Sequence, residues 1–123
     1  MTLEYEIANT PMPEQISTVV LISEDPFIAA FVRTLLHRSG FEAVGTTAER
    51  GLELIETGAL RAEVVITNTP QVFLPVADRI HLLYLAAMPD LSLIAPFPSA
   101  IALRKPFSNG DLLEAVQSLA VVT

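Results

Sequence analysis

A single polar side chain follows an apolar run near the middle of the sequence. Val64, Val65 and Ile66 are β-branched, and the chain leaves them through Asn68 and a Thr-Pro break. Such a run predicts a strand buried on both faces of a sheet. The carboxyl ends of strands in an open α/β sheet are where sites are built. Asn68 carries an amide, which hydrogen-bonds but is a poor nucleophile.

A second polar cluster, Glu24 and Asp25, follows the apolar run VVLIS and precedes Pro26. Proline at the first helical position, after residues that cap helices, predicts the start of a helix. The helix dipole also favours acidic side chains at this place. A helix cap and first-turn acid would therefore be enough to explain the pair.

The remaining composition excludes several kinds of chemistry. The chain has no cysteine, which removes disulfides and thiolate catalysis. Its 5 glycines are scattered, so no glycine-rich phosphate loop is present. No nucleophile stands beside a base in the sequence, and a hydrolase or transferase lacks support for that reason. We expect no enzymatic activity.

Length and charge indicate one domain that contacts a partner. The 123 residues suit a single core, and we predict a flexible leader over residues 1–16 and the domain over residues 17–123. Hydrophobic residues make up 51% of the chain, so part of the surface is expected to be covered by a protein. A net charge of -7, with no basic cluster larger than Arg104-Lys105, argues against nucleic acid.

Neither a secretion signal nor a membrane helix is expected. The amino end lacks a basic region followed by an apolar run. The apolar stretch over residues 81–103 is interrupted by Pro89, Asp90, Pro96 and Pro98, which break a helix and place a carboxylate in mid-span. We therefore expect a cytoplasmic protein.

Strand and helix signals alternate along the chain. Strands are predicted at residues 18–23, 41–44, 63–67, 91–95 and 101–103. Helices are predicted to begin at Pro26, at the capping box Thr46-Thr47-Ala48-Glu49 and after Ser108, with another over residues 76–88. This order predicts a doubly wound α/β fold with a five-stranded parallel sheet and helices on both faces.

The alternation has one gap. Only residues 96–100 separate the predicted fourth and fifth strands, and they include two prolines. The helix between strands 4 and 5 is therefore predicted to be missing. The sheet edge near residues 96–104, left without a cover, and the last helix are our candidate surface for a homodimer or another partner.

Three sets of residues at predicted strand ends resemble the response-regulator receiver (CheY-like) family over residues 18–120. They are the acidic pair, Asn68, and Lys105 with Pro106. The resemblance implies a flavodoxin-like fold in which the acidic pair binds Mg²⁺, an aspartate at the position of Asn68 accepts a phosphoryl group, and the lysine contacts the phosphoryl oxygens. It also implies a cis bond before Pro106. The stretches VFLPVADRI, LSLIAPFP and ALRKPF are similar to a subset with Phe-Ala-Thr-Gly after strand 4 and a reduced fourth helix.

The chain departs from this family at two positions. Asn68 replaces the phosphoryl acceptor, and an amide cannot form an acyl phosphate. Ala95 or Pro96 stands at the switch position, where the family has Thr or Ser, and neither has a hydroxyl to donate. The resemblance is therefore to a degenerate pseudo-receiver.

The retained charged residues leave alternatives open. Glu24 and Asp25 suffice for weak Mg²⁺ binding at most, since a third carboxylate is lacking, and otherwise no metal or cofactor is expected. Lys105 has a structural alternative, an ion pair with Asp25 across the strand ends.

These inferences predict an atypical two-component signal transduction receiver. It would act as a phosphorylation-independent protein-interaction module whose partner is a histidine kinase or another signalling protein. One alternative is a receiver phosphorylated at a non-standard residue, with Asp25 and Lys105 as its site. Another is a small-molecule sensor with its ligand at the carboxyl ends of the strands, where Asn68 hydrogen-bonds.

Overall fold

The computed structural model describes residues 18–120. In these residues five strands alternate with three α-helices and two 3₁₀ segments. Numbered along the chain, they are β1 (Val19–Ser23), α1 (Pro26–Arg38), β2 (Glu42–Gly45), α2 (Ala48–Glu56), β3 (Val64–Thr67), the first 3₁₀ segment (Pro70–Val76), β4 (His81–Ala86), the second 3₁₀ segment (Leu91–Leu93), β5 (Ala100–Arg104) and α3 (Asn109–Ala120). The predicted leader lies outside the described residues.

All five strands belong to one parallel sheet with the order β2-β1-β3-β4-β5. Along β1 and β3 successive side chains enter opposite cores. Val20 and Ile66 pack in the core that contains residues of α1 and α3, whereas Leu21 and Val65 pack in the core that contains residues of α2 and the first 3₁₀ segment. Burial on both faces explains why these strands are apolar at every position except the last, Ser23 in β1 and Thr67 in β3. The predicted doubly wound α/β fold is confirmed.

Helix ends follow local hydrogen-bonding chemistry. Thr47 Oγ1 accepts a hydrogen bond from the backbone N–H of Arg50 at 3.2 Å and caps α2. Ser108 Oγ accepts one from the N–H of Asp111 at 3.0 Å, at the start of α3. Gly40 follows α1 with a φ of 91°, in the left-handed region that glycine adopts without strain. The ends at Gly40 and Ser108 agree with the sequence prediction, whereas the cap of α2 is the second threonine of the predicted capping box and not the first.

The helix predicted over residues 76–88 is wrong. His81–Ala86 is a strand, bonded to β3 on one side and to β5 on the other. Leu82, Leu83 and Leu85 are all fully buried there. Residues 82–86 are all apolar, and such a run fits the spacing of a helix as well as that of a doubly buried strand. Periodicity therefore could not distinguish a helix from a strand here. The crossover from β3 to β4 contains no α-helix, and its segment Pro70–Val76 forms 3₁₀ turns.

The strand predicted over residues 91–95 is also wrong. Leu91–Leu93 is one 3₁₀ turn capped by Asp90, whose Oδ1 accepts from the Ser92 hydroxyl at 2.6 Å and the Ser92 N–H at 3.1 Å. The side-chain hydrogen bond from Ser92, followed by the backbone one, lowers the pKa of the Asp90 carboxyl.

The connection from β4 to β5 therefore covers residues 87–99 and has the length that a parallel crossover needs. Its only helical structure is the turn Leu91–Leu93. The prediction of a missing helix between strands 4 and 5 is thus confirmed, although the five-residue gap on which it rested does not exist. Prolines 89, 96 and 98 explain why no longer helix forms.

β5 is an edge strand, with β4 as its one neighbour among residues 18–120. The adjoining sheet face is covered, contrary to expectation. Phe97, from the connection, is only 6% exposed and packs in the same core as Tyr84, with Ile94 and Ala102 against it. The face has a cover, while the outer backbone edge of β5 has no strand paired with it in the described part of the chain. No helix within these residues has the length and apolarity to cross a bilayer.

A pair of leucine substitutions tests the position of β4. Leu83 is fully buried and Leu91 is 62% exposed. We expect Leu83→Ala to lower the free energy of unfolding by about 3 kcal/mol through lost burial and a cavity, and Leu91→Ala to change it by less than about 0.5 kcal/mol. Denaturant unfolding of both variants measures this, and equal losses would contradict the strand assignment.

Candidate functional site

Three strand ends meet at one edge of the sheet. Glu24 follows β1, Asn68 follows β3 and Lys105 follows β5. Because β1 and β3 run parallel with Ser23 opposite Thr67, the residues after them emerge side by side. The structure thus brings together the side chains that the sequence placed at this edge.

Glu24 lies at the centre of this group and contacts both of the others. Its Oε2 is 2.9 Å from Nζ of Lys105, and its Oε1 accepts hydrogen bonds from Nδ2 of Asn68 at 3.1 Å and from the backbone N–H of Asp25 at 2.8 Å. The Glu24 side chain has no exposed surface, and that of Lys105 is 24% exposed. One buried carboxylate therefore links three segments that are distant in sequence.

The two neighbouring acidic residues have different roles. Asp25 is the cap of α1, and its Oδ1 accepts from the N–H of Phe27 at 2.9 Å and from that of Ile28 at 3.5 Å. Asp25 thus has the capping role that sequence chemistry offered for the pair, whereas Glu24 turns into the site. Lys105 pairs with Glu24 and not with Asp25, contrary to the structural alternative considered for it.

Buried hydroxyl groups lie beneath Asn68. Ser23 is 4% exposed and Thr67 is fully buried. Oγ1 of Thr67 donates to Ser23 Oγ at 3.5 Å and accepts from the backbone N–H of Thr69 at 3.0 Å. This second contact closes the turn that contains Asn68. The sequence signal for these residues is the polar side chain that ends each apolar run, and our sequence analysis did not use it.

The switch position is displaced from its predicted place. Because β4 ends at Ala86, Ala95 and Pro96 do not lie at a strand end but in the connection that follows the second 3₁₀ segment. At the true end of β4, the C=O of Ala86 accepts from the N–H of Lys105 at 2.9 Å, and Ala87 comes next. Neither alanine has a hydroxyl.

The donor set does not fit a tight Mg²⁺ site. Mg²⁺ requires near-octahedral oxygen ligands. Within residues 18–120 no group of three or more His, Cys, Asp or Glu side chains is placed to hold a metal ion. Oδ1 of Asp25 is occupied in capping α1, and the ammonium of Lys105 lies next to Oε2 of Glu24. A cation would therefore have to compete with the lysine.

The contact of Glu24 with Lys105 is an ion pair without a regular hydrogen bond to Oε2. This oxygen is buried, and no group in the described part of the chain gives it a hydrogen bond of regular geometry, even though the Lys105 ammonium is 2.9 Å away. We regard the contact as an ion pair whose energy is electrostatic rather than directional. Breaking such a buried pair leaves an uncompensated charge, which is costly.

Another polar pair lies away from this site. Nδ1 of His81, at the amino end of β4, is 2.7 Å from Oγ of Ser99. None of the ion pairs formed within residues 18–120 involves His81, so a carboxylate to orient the ring is lacking there. The contact joins the end of the connection to the start of β4, and does not form a catalytic triad.

The buried ion pair leads to a stability prediction. We expect Lys105→Met to lower the free energy of unfolding by about 3 kcal/mol, because the Glu24 charge stays buried without a partner. Adding Glu24→Gln should recover most of the loss, since the amide carries no charge. Denaturant unfolding is the measurement.

Arg50→Met is the matched control for this prediction. Arg50 pairs with Glu53 at 2.9 Å, but both side chains are more than half exposed, so its loss should cost less than about 1 kcal/mol. Equal losses of unfolding free energy in the Arg50 and Lys105 variants would show that the buried Lys105–Glu24 pair stabilises the fold no more than an exposed pair does.

Comparisons with known proteins give no match to a protein-family model and no match among curated proteins. Solved structures, in contrast, are similar to this one. A response regulator receiver protein from Burkholderia phymatum superimposes with a TM-score of 0.71 at 19% identity, over 87% of this chain and 98% of that chain.

Two further structures give the same result. A response regulator receiver protein from Sinorhizobium medicae has a TM-score of 0.69 at 20% identity, over 85% of this chain and 94% of its own. The chemotaxis response regulator CheY4 of Vibrio cholerae has a TM-score of 0.68 at 18% identity, over 85% and 98%. The chain therefore has the fold of CheY-like response-regulator receivers.

Proposed function

We propose that this chain is a pseudo-receiver of a two-component signalling system. It acts in the cytoplasm as a protein-interaction module, catalyses no reaction and does not depend on phosphorylation. Its partner is a histidine kinase or another signalling protein. The observation that carries the proposal is the contact between Asn68 and Glu24 at the receiver-like strand edge.

Asn68 supports the proposal by its chemistry and by its contact. The lone pair of an amide nitrogen is delocalised and the amide oxygen is a poor nucleophile, so position 68 cannot become an acyl phosphate. Because a carboxylate has no proton to donate, it is the amide nitrogen that faces Glu24, as a hydrogen-bond donor at 3.1 Å. The side chain thereby helps to hold the site in one arrangement.

The end of β4 supports the same conclusion. Switching by a phosphoryl group needs a donor that moves toward it, and Ala86 and Ala87 have only methyl groups. With no acceptor at position 68 and no hydroxyl at the end of β4, the site has no phosphoryl group to form or to sense. A fixed conformation that partners recognise is a way to signal that needs neither group.

A partner surface is available beside β5. Met88 is 83% exposed and Leu91 is 62% exposed. Nε of Arg104, at the end of β5, donates to the C=O of Ala87 at 3.2 Å, so Met88 lies near the carboxyl ends of β4 and β5. Large exposed apolar side chains favour association with protein. We propose that this surface, together with α3, also forms a homodimer.

A small-molecule sensor is a second candidate, because an open cleft of about 520 Å³ adjoins Glu24. Its walls come from the start of α1 and from the loop after β2, and include Arg33 and Thr47. The volume lies in the usual range for small-molecule sites. The cleft offers a guanidinium and a hydroxyl for a polar ligand.

Phosphorylation is tested by intact mass after incubation with a small phosphodonor and Mg²⁺. We expect the wild type to stay unmodified and Asn68→Asp to gain a phosphoryl group, because the new carboxylate supplies both a nucleophile and a further metal ligand. Asn68→Ala is the control for modification elsewhere. A phosphorylated wild type would mean that another residue accepts, and would contradict the proposal.

Homodimer formation is tested by sedimentation at high protein concentration. We expect a dimer that Met88→Glu with Leu91→Glu converts to a monomer, because two buried carboxylates would have to be desolvated in the interface. Phe27→Glu is the control, since Phe27 is 87% exposed but lies on α1. A wild-type monomer, or the same loss in the control, would contradict this interface.

A further inference from the structure

A second concave surface lies at the opposite end of the sheet from Glu24. It is an open groove of about 720 Å³ beside the amino ends of β1 and β3. We call it the amino-end groove, and six of its lining residues matter here: Thr18, Val19, Ile55, Leu60, Arg61 and Arg79. Its volume is typical of a site that holds a ligand or a short peptide.

The amino-end groove combines an apolar floor with basic groups. Ile55 is 7% exposed and Leu60 packs against the same core. Arg61 and Arg79 are exposed, and neither takes part in an ion pair formed within residues 18–120. Glu63 is the one acidic side chain that lines the groove. In a chain with 14 acidic and 7 basic side chains, two such arginines in one groove favour an acidic occupant.

The chain itself has an acidic segment next to this groove. Residues 1–17 join the described structure at Thr18, which lines the groove. They contain Glu4, Glu6 and Glu14 and no lysine or arginine. Within them residues 3–7 read LEYEI, so that apolar and acidic side chains alternate. In an extended peptide such alternation directs the two kinds of side chain to opposite sides.

We propose that the amino-end groove binds residues 3–7 of the same chain. Leu3, Tyr5 and Ile7 contact the apolar floor, while Glu4 and Glu6 pair with the two arginines at the rim. Residues 8–17 would span roughly 33 Å if extended, which is enough for the chain to return to a groove that begins at Thr18. The contact ties the amino-terminal segment to the end of the sheet away from Asn68. It is independent of the proposed signalling function.

Cleavage of the full chain by a glutamate-specific protease tests this contact, because residues 1–17 offer cleavage sites at Glu4 and Glu6. We expect Arg61→Gln with Arg79→Gln to speed cleavage at these sites by roughly fivefold, since the loss of two exposed ion pairs raises the open population by about that factor. High salt should speed cleavage of the wild type and have less effect on the variant.

Arg33→Gln with Arg38→Gln is the matched control, because these arginines lie on α1 and also form no ion pair within residues 18–120. It should leave the cleavage rate unchanged. Equal rates for the wild type and the Arg61/Arg79 variant would overturn the proposal, as would equal acceleration by the control. Protection that disappears on dilution would mean that the segment comes from a second copy, and would overturn the intramolecular contact.

A charge exchange gives a second readout. Glu4→Arg with Glu6→Arg should shift the amide resonances of Ile55 and Gly58, which line the groove, and adding Arg61→Glu with Arg79→Glu should restore them. Resonances that do not respond to the first pair of substitutions would contradict the contact even if the protease result were positive.

Discussion

The arrangement of the strand ends depends on one buried carboxylate. Glu24 has no exposed side-chain surface, and it contacts the ammonium of Lys105 at 2.9 Å and the amide of Asn68 at 3.1 Å. A charge in that position is tolerated only because a cation and hydrogen-bond donors surround it. The turns after β1, β3 and β5 are thereby fixed relative to one another. Each must present its polar group inward for the fold to keep this charge buried.

The identity of residue 68 follows from this constraint. An aspartate there would place a second carboxylate within hydrogen-bond distance of Glu24, and two like charges at that distance repel. Lys105 would then have to serve both. The amide of Asn68 removes the repulsion and adds a donor. The amide, which cannot form an acyl phosphate, therefore also stabilises this arrangement of the site, and the two alanines at the end of β4 have no hydroxyl.

Sequence patterns predicted the parts of the fold where local chemistry is decisive. The strands at VVLIS and VVIT have β-branched runs that end in polar residues, and Thr47 and Ser108 are strong helix caps, so these elements lie where they were expected. Convergence of Glu24, Asn68 and Lys105 followed from the rule that parallel strand ends share an edge.

The errors in the predicted fourth strand and in the predicted partner of Lys105 also had physical causes. Residues 82–86 are apolar throughout, and no periodicity separates a helix from a central strand in such a run. That one error displaced the predicted end of the fourth strand from Ala86 to Ala95, and with it the residues expected at a switch position. The choice between Glu24 and Asp25 as the partner of Lys105 was also beyond the sequence. It is decided by the backbone at the start of α1, which turns Asp25 toward the helix and Glu24 toward the sheet.

An amide spectrum of the full chain, recorded before and after addition of Mg²⁺ and a small phosphodonor, tests the central claim most directly. If the site is held in one arrangement by Glu24, the resonances of Asp25, Asn68 and Lys105 will keep their positions. Displacement of these three resonances together on addition of the phosphodonor would show that the site accepts a phosphoryl group and changes with it, and would contradict a receiver that signals without phosphorylation.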